Sequence, residues 1–265
     1  MIINTGMRTD IPAFYHKWLI NRIKEGFVLV RNPYNPSQVT RYSLSPEVVD
    51  LIAFCTKNPA PMLPHMDTLK PYGQYWFVTI TPYGKDIEPN VPDKQKVMED
   101  FKKLSDIVSI DSVGWRYDPI FVDDKYSVDW HIDQFEQMTA TQHDMIIRPC
   151  AEGNDLASYG ADCSGCMTVK TFETALHARL DVPKRSRNQR NNECACLLGA
   201  DIGAYDTCGH LCRYCYANTN AALVKENVKN HDPKSPFLIG NSQPGDVIHE
   251  AEQKSWLDLQ MRLEM

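Results

Sequence analysis

Long apolar runs are missing from this 265-residue chain, and with them any stretch of the ~20 consecutive apolar residues that a membrane-spanning helix needs. The opening segment, MIINTGMRTD, holds no basic stretch followed by an apolar core, so no secretory leader is expected and the expected location is cytoplasmic. Basic charge is not in excess either. The 28 Lys and Arg against 34 Asp and Glu leave a formal net charge of −6, which gives no footprint for nucleic acid or an anionic membrane. There is no internal repeat and no low-complexity tract. Hydrophobic content of 43% and charged content of 23% are ordinary for a globular chain long enough to bury a full core.

Cysteine is present, and unevenly placed. Of the nine, Cys55 stands alone inside IAFCT and reads as a core residue, while the other eight lie between Cys150 and Cys215. In a reducing compartment an odd, clustered set argues against a disulfide framework and for metal binding or catalysis.

Residues 1–154 alternate short apolar runs with helical patterns. Strands are expected at Ile2–Ile3, Phe27–Val30, Tyr75–Ile80, Ser112–Trp115 and Met145–Ile147, and Val48–Phe54 reads as a helix end running into a buried strand. Helices are expected at Pro12–Lys24, Val97–Val108 and Val128–Met138. Strands alternating with helices imply parallel strands joined by crossover helices. Both an open sheet and a (β/α) barrel fit, and the preferred form is an α/β fold with a partial (β/α) barrel-like parallel sheet. The preference rests on the polar residues after each run, which a barrel gathers on one face. Residues 155–240 change character, with few strand-like runs and many Cys, Asn, Gly and charged residues, as expected of a region organised by metal rather than by a core. Within it the basic run Pro183–Glu193 reads as a solvated loop. Residues 241–265 form a tail, with a short amphipathic helix expected around Trp256, Leu257, Leu259 and Leu263.

The segment TCGHLCRYCYAN, Thr207–Asn218, carries Cys208, Cys212 and Cys215 at C-x-x-x-C-x-x-C spacing. Closely spaced thiolates let one short loop wrap an iron–sulfur cluster, and three of them leave one iron without a local ligand. A buried cysteine stripe on a helix is the bland alternative, but Gly209, His210 and Arg213 make a poor apolar stripe. Zinc is the other competitor, and needs four ligands. A second set, Cys163, Cys166, Cys194 and Cys196, with Cys150 as a further candidate, suits a second iron–sulfur cluster or a structural zinc.

The C-x-x-x-C-x-x-C spacing, with aromatic Tyr214 before the last cysteine, resembles the signature of the radical S-adenosylmethionine superfamily. The resemblance implies a [4Fe–4S] cluster on the three cysteines. It also implies S-adenosylmethionine on the open iron, cleaved by one electron to a 5′-deoxyadenosyl radical that abstracts hydrogen from a substrate. In that superfamily the motif normally follows the first barrel strand, whereas here it comes after the strand–helix units. More broadly, RTDIPAFY, VRNP, TKNPAPML, YGKDIEPN, WRYDPI, CAEG, DIGAYDTC and HDPKSP resemble an uncharacterised bacterial family catalogued as a domain of unknown function. Its members carry a further strand and helix between the segments matching Gln134–Thr139 and Met145–Cys150, and loss of that unit would open a barrel or shift its register.

Among non-cysteine residues, Lys57 after LIAFC is the first catalytic candidate, followed by Arg8 with Asp10 and Arg116 with Asp118, all at strand ends. Arginine clamps carboxylates bidentately, which suits an amino-acid cofactor or an acidic substrate. Tyr214, Asn58 and Glu152 are the cofactor-binding candidates, and His210 is expected to support the cluster loop rather than ligate it. The expected function is a radical S-adenosylmethionine enzyme acting on an unidentified substrate, reduced by a flavodoxin or ferredoxin, with no membrane partner. The rivals are a non-enzymatic iron–sulfur or zinc protein for electron transfer or scaffolding, and an enzyme of nucleic-acid repair or modification.

Overall fold

The runs LIAFCT and GQYWFVT are apolar on both faces, the pattern of strands covered on two sides. In a computed structural model, which describes residues 1–140, 145–149, 157–184, 196–197 and 199–258, they lie at the centre of a parallel sheet. The chain runs β1 (Ile2–Asn4), α1 (Ile11–Phe14), α2 (His16–Glu25), β2 (Phe27–Arg31), β3 (Gln38–Ser43), β4 (Leu51–Thr56), α3 (Met66–Leu69) and β5 (Gly73–Thr79). It continues through α4 (Lys94–Val108), β6 (Val113–Arg116), α5 (Val128–Ala140), α6 (Val169–Leu176), β7 (Ala200–Asp201), α7 (Ala221–Lys229) and β8 (Val247–Glu250).

The main sheet has five strands in the order β6-β5-β4-β1-β7, every pair parallel. Its register is set by Ile2 opposite Leu51, Leu51 opposite Gly73, Trp76 opposite Val113 and Ile3 opposite Ala200. Phe54 stacks on Trp76 at 3.8 Å between ring centres, both fully buried, so the centre of the sheet is held by aromatic contact as well as by its ladder. The helices expected at Val97–Val108 and Val128–Met138 form as α4 and α5, and Asp93 caps α4 by accepting from Lys96 N at 3.2 Å.

The sequence-based expectation needs four corrections. Beyond β6 the main sheet is extended, among the described residues, by a parallel bridge from Trp115 to Ile147, where a full strand at Met145–Ile147 is expected from the sequence. Phe27–Arg31 forms no strand–helix unit. It turns back through Asn32–Ser37 to pair antiparallel with Gln38–Ser43, because so short a connection cannot hold a crossover helix. These two and β8 make a separate three-stranded sheet, β2-β3-β8. The helix expected at Pro12–Lys24 is split at Tyr15 into α1 and α2. The C-terminal helix does not form through residue 258; Leu257 bridges antiparallel to Leu180, while Leu259 and Leu263 lie outside the described residues. Among the described residues no helix is long and apolar enough to cross a membrane.

One connection decides where the chemistry sits. The cysteine-rich stretch sends Ala200–Asp201 back into the main sheet as β7, beside β1. Because all five strands are parallel, the segment leaving β7 emerges at the same edge as the C-terminal ends of β1, β4, β5 and β6.

Candidate metal centre

At that edge, residues 207–219 form a run of turns rather than a helix, so the three cysteines are not a helical stripe. Asp206, at φ 53°, begins the loop and closes its far end, accepting from Thr219 N at 2.5 Å and Thr219 Oγ1 at 2.9 Å. The Asn218 side chain clamps Cys208 at both ends, accepting from Cys208 N at 3.3 Å and donating to Cys208 O at 2.7 Å. Cys215 N donates to Cys212 O at 3.1 Å, turning the chain between the last two cysteines.

The loop is pinned to the strand ends beneath it. Asp10, buried after β1, is the central acceptor. It caps α1 through Ala13 N at 3.0 Å, takes Thr56 Oγ1 at 2.7 Å and Lys57 N at 2.7 Å from the end of β4, and meets His210 Nε2 at 2.9 Å. Tyr15 donates to Thr207 O at 2.6 Å, Asn90 Nδ2 to Gly209 O at 2.8 Å, and Arg213 N to Ile87 O at 3.0 Å. A side chain at position 209 would bring its Cβ within 2.8 Å of the Phe14 ring. Gly209→Ala is therefore expected to cost about 1–3 kcal/mol through overpacking, read as a fall in unfolding midpoint, with His210 displaced from Asp10.

A second anchor is Glu88, 1% exposed, in the loop after β5. Its Oε1 accepts from Lys57 Nζ at 2.7 Å, Thr81 Oγ1 at 2.7 Å and the Tyr214 hydroxyl, and its Oε2 accepts from Lys94 Nζ. Burial opposes the charge, but the Lys57 and Lys94 ammonium groups hold the carboxyl down to about 2. Burial pulls the Lys94 ammonium down despite Glu88, since Lys94 shares that one carboxylate with Lys57. Burial and then the Glu88 charge push the Tyr214 phenol up, keeping it a donor.

Cys208, Cys212 and Cys215 are all half-buried. Burial pushes the Cys212 thiol up to about 11, with Lys57 pulling the other way. Burial and then Asp10 push the Cys208 thiol up as well, and the neighbouring cysteines add to it. Among the described residues no three His, Cys, Asp or Glu side chains stand close enough to share a single metal ion.

Of the other candidates, Lys57 and Asp10 are in direct contact with the loop, as above. Arg8 is spent on Asp201, through Nε to the carboxylate and a terminal nitrogen to Asp201 O at 2.7 Å. Arg116 donates to Thr79 Oγ1 at 2.8 Å and stands 3.7 Å from Asp118, whose carboxyl burial pushes up against the pull of Arg116 and Lys57. Asn58 N donates to Thr56 Oγ1 at 2.9 Å, so its backbone is fixed at the end of β4. Cys166 and Cys196 meet at 2.9 Å between sulfurs, both buried, and Cys163 is half-buried. Cys150, Cys194 and Glu152 lie outside the described residues. Cys55 is buried with its sulfur 3.6 Å from Met167 Sδ, in keeping with a core role.

Glu88, Lys94, Asp206 and Asn218 escaped the sequence reading. Glu88 lies in YGKDIEPN, but nothing in a loop sequence marks a carboxylate as buried. A cavity of about 680 Å³ lined by Met1, Tyr42, Ala200 and Trp256 lies at the opposite edge of the sheet and touches none of these residues.

No curated protein and no solved structure matched the chain. A family model described as a domain of unknown function, DUF1848, matches residues 2–141 and 137–217. The two stretches overlap at residues 137–141, and the second ends at residue 217, two residues past Cys215. On this coverage the chain belongs to the family of the domain of unknown function DUF1848.

Proposed function

We propose that Cys208, Cys212 and Cys215 hold a [4Fe–4S] cluster and that the chain is a radical S-adenosylmethionine enzyme. The observation that carries the reading is three half-buried thiols on one turn-built loop at the C-terminal edge of a parallel sheet. The donor set fits. A cubane cluster takes each thiolate on a different iron, so three cysteines on one short loop suit it, whereas zinc needs a fourth ligand. A cationic core would also offset the burial and the Asp10 charge that oppose ionisation of Cys208. The loop follows the last strand of the sheet in the chain, but that strand lies beside β1, so an edge strand feeds the loop despite its late position.

When bound, the cluster and S-adenosylmethionine would supply a 5′-deoxyadenosyl radical for hydrogen abstraction. The chain's own residues orient and enclose. Asp10 and His210 position the loop, Tyr214 and Asn58 border the cofactor side, and Arg116 with Asp118 faces substrate at the end of β6. In this reading the open parallel sheet is a partial (β/α) barrel, a flavodoxin or ferredoxin is the reductant, and the setting is cytoplasmic. Cys166 and Cys196, with Cys163 and the other cysteines of that stretch, would hold a second iron–sulfur cluster or zinc.

The test is cofactor cleavage. Reduced, anaerobically reconstituted protein is expected to release 5′-deoxyadenosine from S-adenosylmethionine. A loaded cluster that never does so favours the electron-transfer rival, and salt-dependent binding of DNA or RNA would favour the nucleic-acid one.

A further inference from the structure

The ion network under the loop carries more positive charge than its own carboxylate balances. Lys57 and Lys94 both reach Glu88, so two ammonium groups face one carboxylate. The side chains are 12%, 25% and 0% exposed for Lys57, Lys94 and Glu88, so solvent screens the surplus poorly. The network touches the cysteine loop directly: Tyr214 donates to Glu88, and Lys57 Nζ lies 5.6 Å from the centre of the Tyr214 ring.

Lys94 is hard to explain as a fold-stabilising residue. It is the first residue of α4, where the helix dipole disfavours a cation. Glu88 is already satisfied by Lys57, Thr81 and Tyr214. Burial lowers the Lys94 ammonium against the pull of Glu88, and Cys212 acts on it more weakly in the same sense as Glu88. A thiolate on the neighbouring loop is the group that gains from this charge.

We propose that Lys57 and Lys94, held by Glu88 beneath the Cys212–Tyr214 turn, form an electrostatic seat that raises the reduction potential of the cluster on Cys208, Cys212 and Cys215. The proposal rests on the cluster reading above. Reduction adds one electron, [4Fe–4S]²⁺ to [4Fe–4S]⁺, supplied by a low-potential one-electron reductant, with no proton or group transferred. A buried surplus cation stabilises the more negative form, and cluster potentials are set by net charge, hydrogen bonds to sulfur and solvent exposure. Lys94 acts as a positioning and tuning residue rather than a catalytic one.

The test is a potentiometric titration of anaerobically reconstituted full-length protein, followed by electron paramagnetic resonance. Lys94→Met is expected to load iron like wild type and to lower the reduced-to-oxidised ratio at fixed potential about tenfold, ~59 mV for one electron. Lys94→Arg keeps the charge and is expected to keep the wild-type potential. An unchanged potential in loaded Lys94→Met overturns the proposal while leaving the cluster reading standing. So does a Lys94→Arg variant that falls as far as Lys94→Met, since that is the behaviour of a structural residue. A wild-type chain that takes up no cluster overturns both.

Discussion

Cys212→Ala is expected to remove about four irons per chain relative to the reconstituted wild type, and with them all cleavage of S-adenosylmethionine. Cys212 is half-buried and lies on a loop held by backbone contacts, Cys215 N to Cys212 O and Arg213 N to Ile87 O among them, so the fold should survive its loss. Iron and sulfide analysis beside far-ultraviolet circular dichroism checks both halves. Cys55→Ala is the control: its sulfur lies in the core near Met167, so iron content should stay at the wild-type level. Equal iron in wild type and Cys212→Ala would place the cluster elsewhere.

Glu88→Gln is the second large effect. A glutamine keeps the shape but leaves the Lys57 and Lys94 ammonium groups buried without a counter-charge. Removing one partner of a buried ion pair typically costs ~3–5 kcal/mol. The Glu88 carboxyl, held at about 2 against an ordinary 4.5, points to a similar scale of about 3 kcal/mol. The sign follows from a carboxyl whose folded-state affinity for protons is depressed. Its contribution is fully present above the ordinary value of 4.5 and is lost as pH falls toward about 2. Urea unfolding at neutral pH should therefore show Glu88→Gln about 3 kcal/mol less stable, with the gap from wild type narrowing as pH falls through that window. A gap that stays constant from neutral pH to acid would mean the carboxylate charge is not what stabilises the network.

The body of the fold was legible where one pattern dominated. The apolar runs of β4 and β5 and the 3.6-residue period of α4 need only local reading. β3 carries no clear signal because QVTRYS mixes polar residues into a strand in which Val39 alone is fully buried, and β7 because two residues carry no pattern at all. Whether the sheet closes is a long-range property that no window of sequence contains. At the site, spacing alone singled out Cys208, Cys212 and Cys215, because cluster ligands must lie close along the chain. Strand-end position singled out Asp10 and Lys57. Glu88 and Lys94 could not be found that way. Their significance comes from contacts distant in the chain, Lys57 from the end of β4 and Tyr214 from the cysteine loop both meeting a buried Glu88. Arg8 shows the converse: it stands out in the sequence as a strand-end residue beside Asp10, but its partner is Asp201, which lies far along the chain in β7.

The central claim is an iron–sulfur cluster with one iron open to a small molecule, and the most direct measurement is the electron paramagnetic resonance spectrum of the reduced, reconstituted protein with and without S-adenosylmethionine. The account predicts a cluster signal that depends on Cys208, Cys212 and Cys215 and changes shape when the cofactor is added. A signal indifferent to the cofactor, or a loop filled by tetrahedral zinc in place of iron, would contradict it.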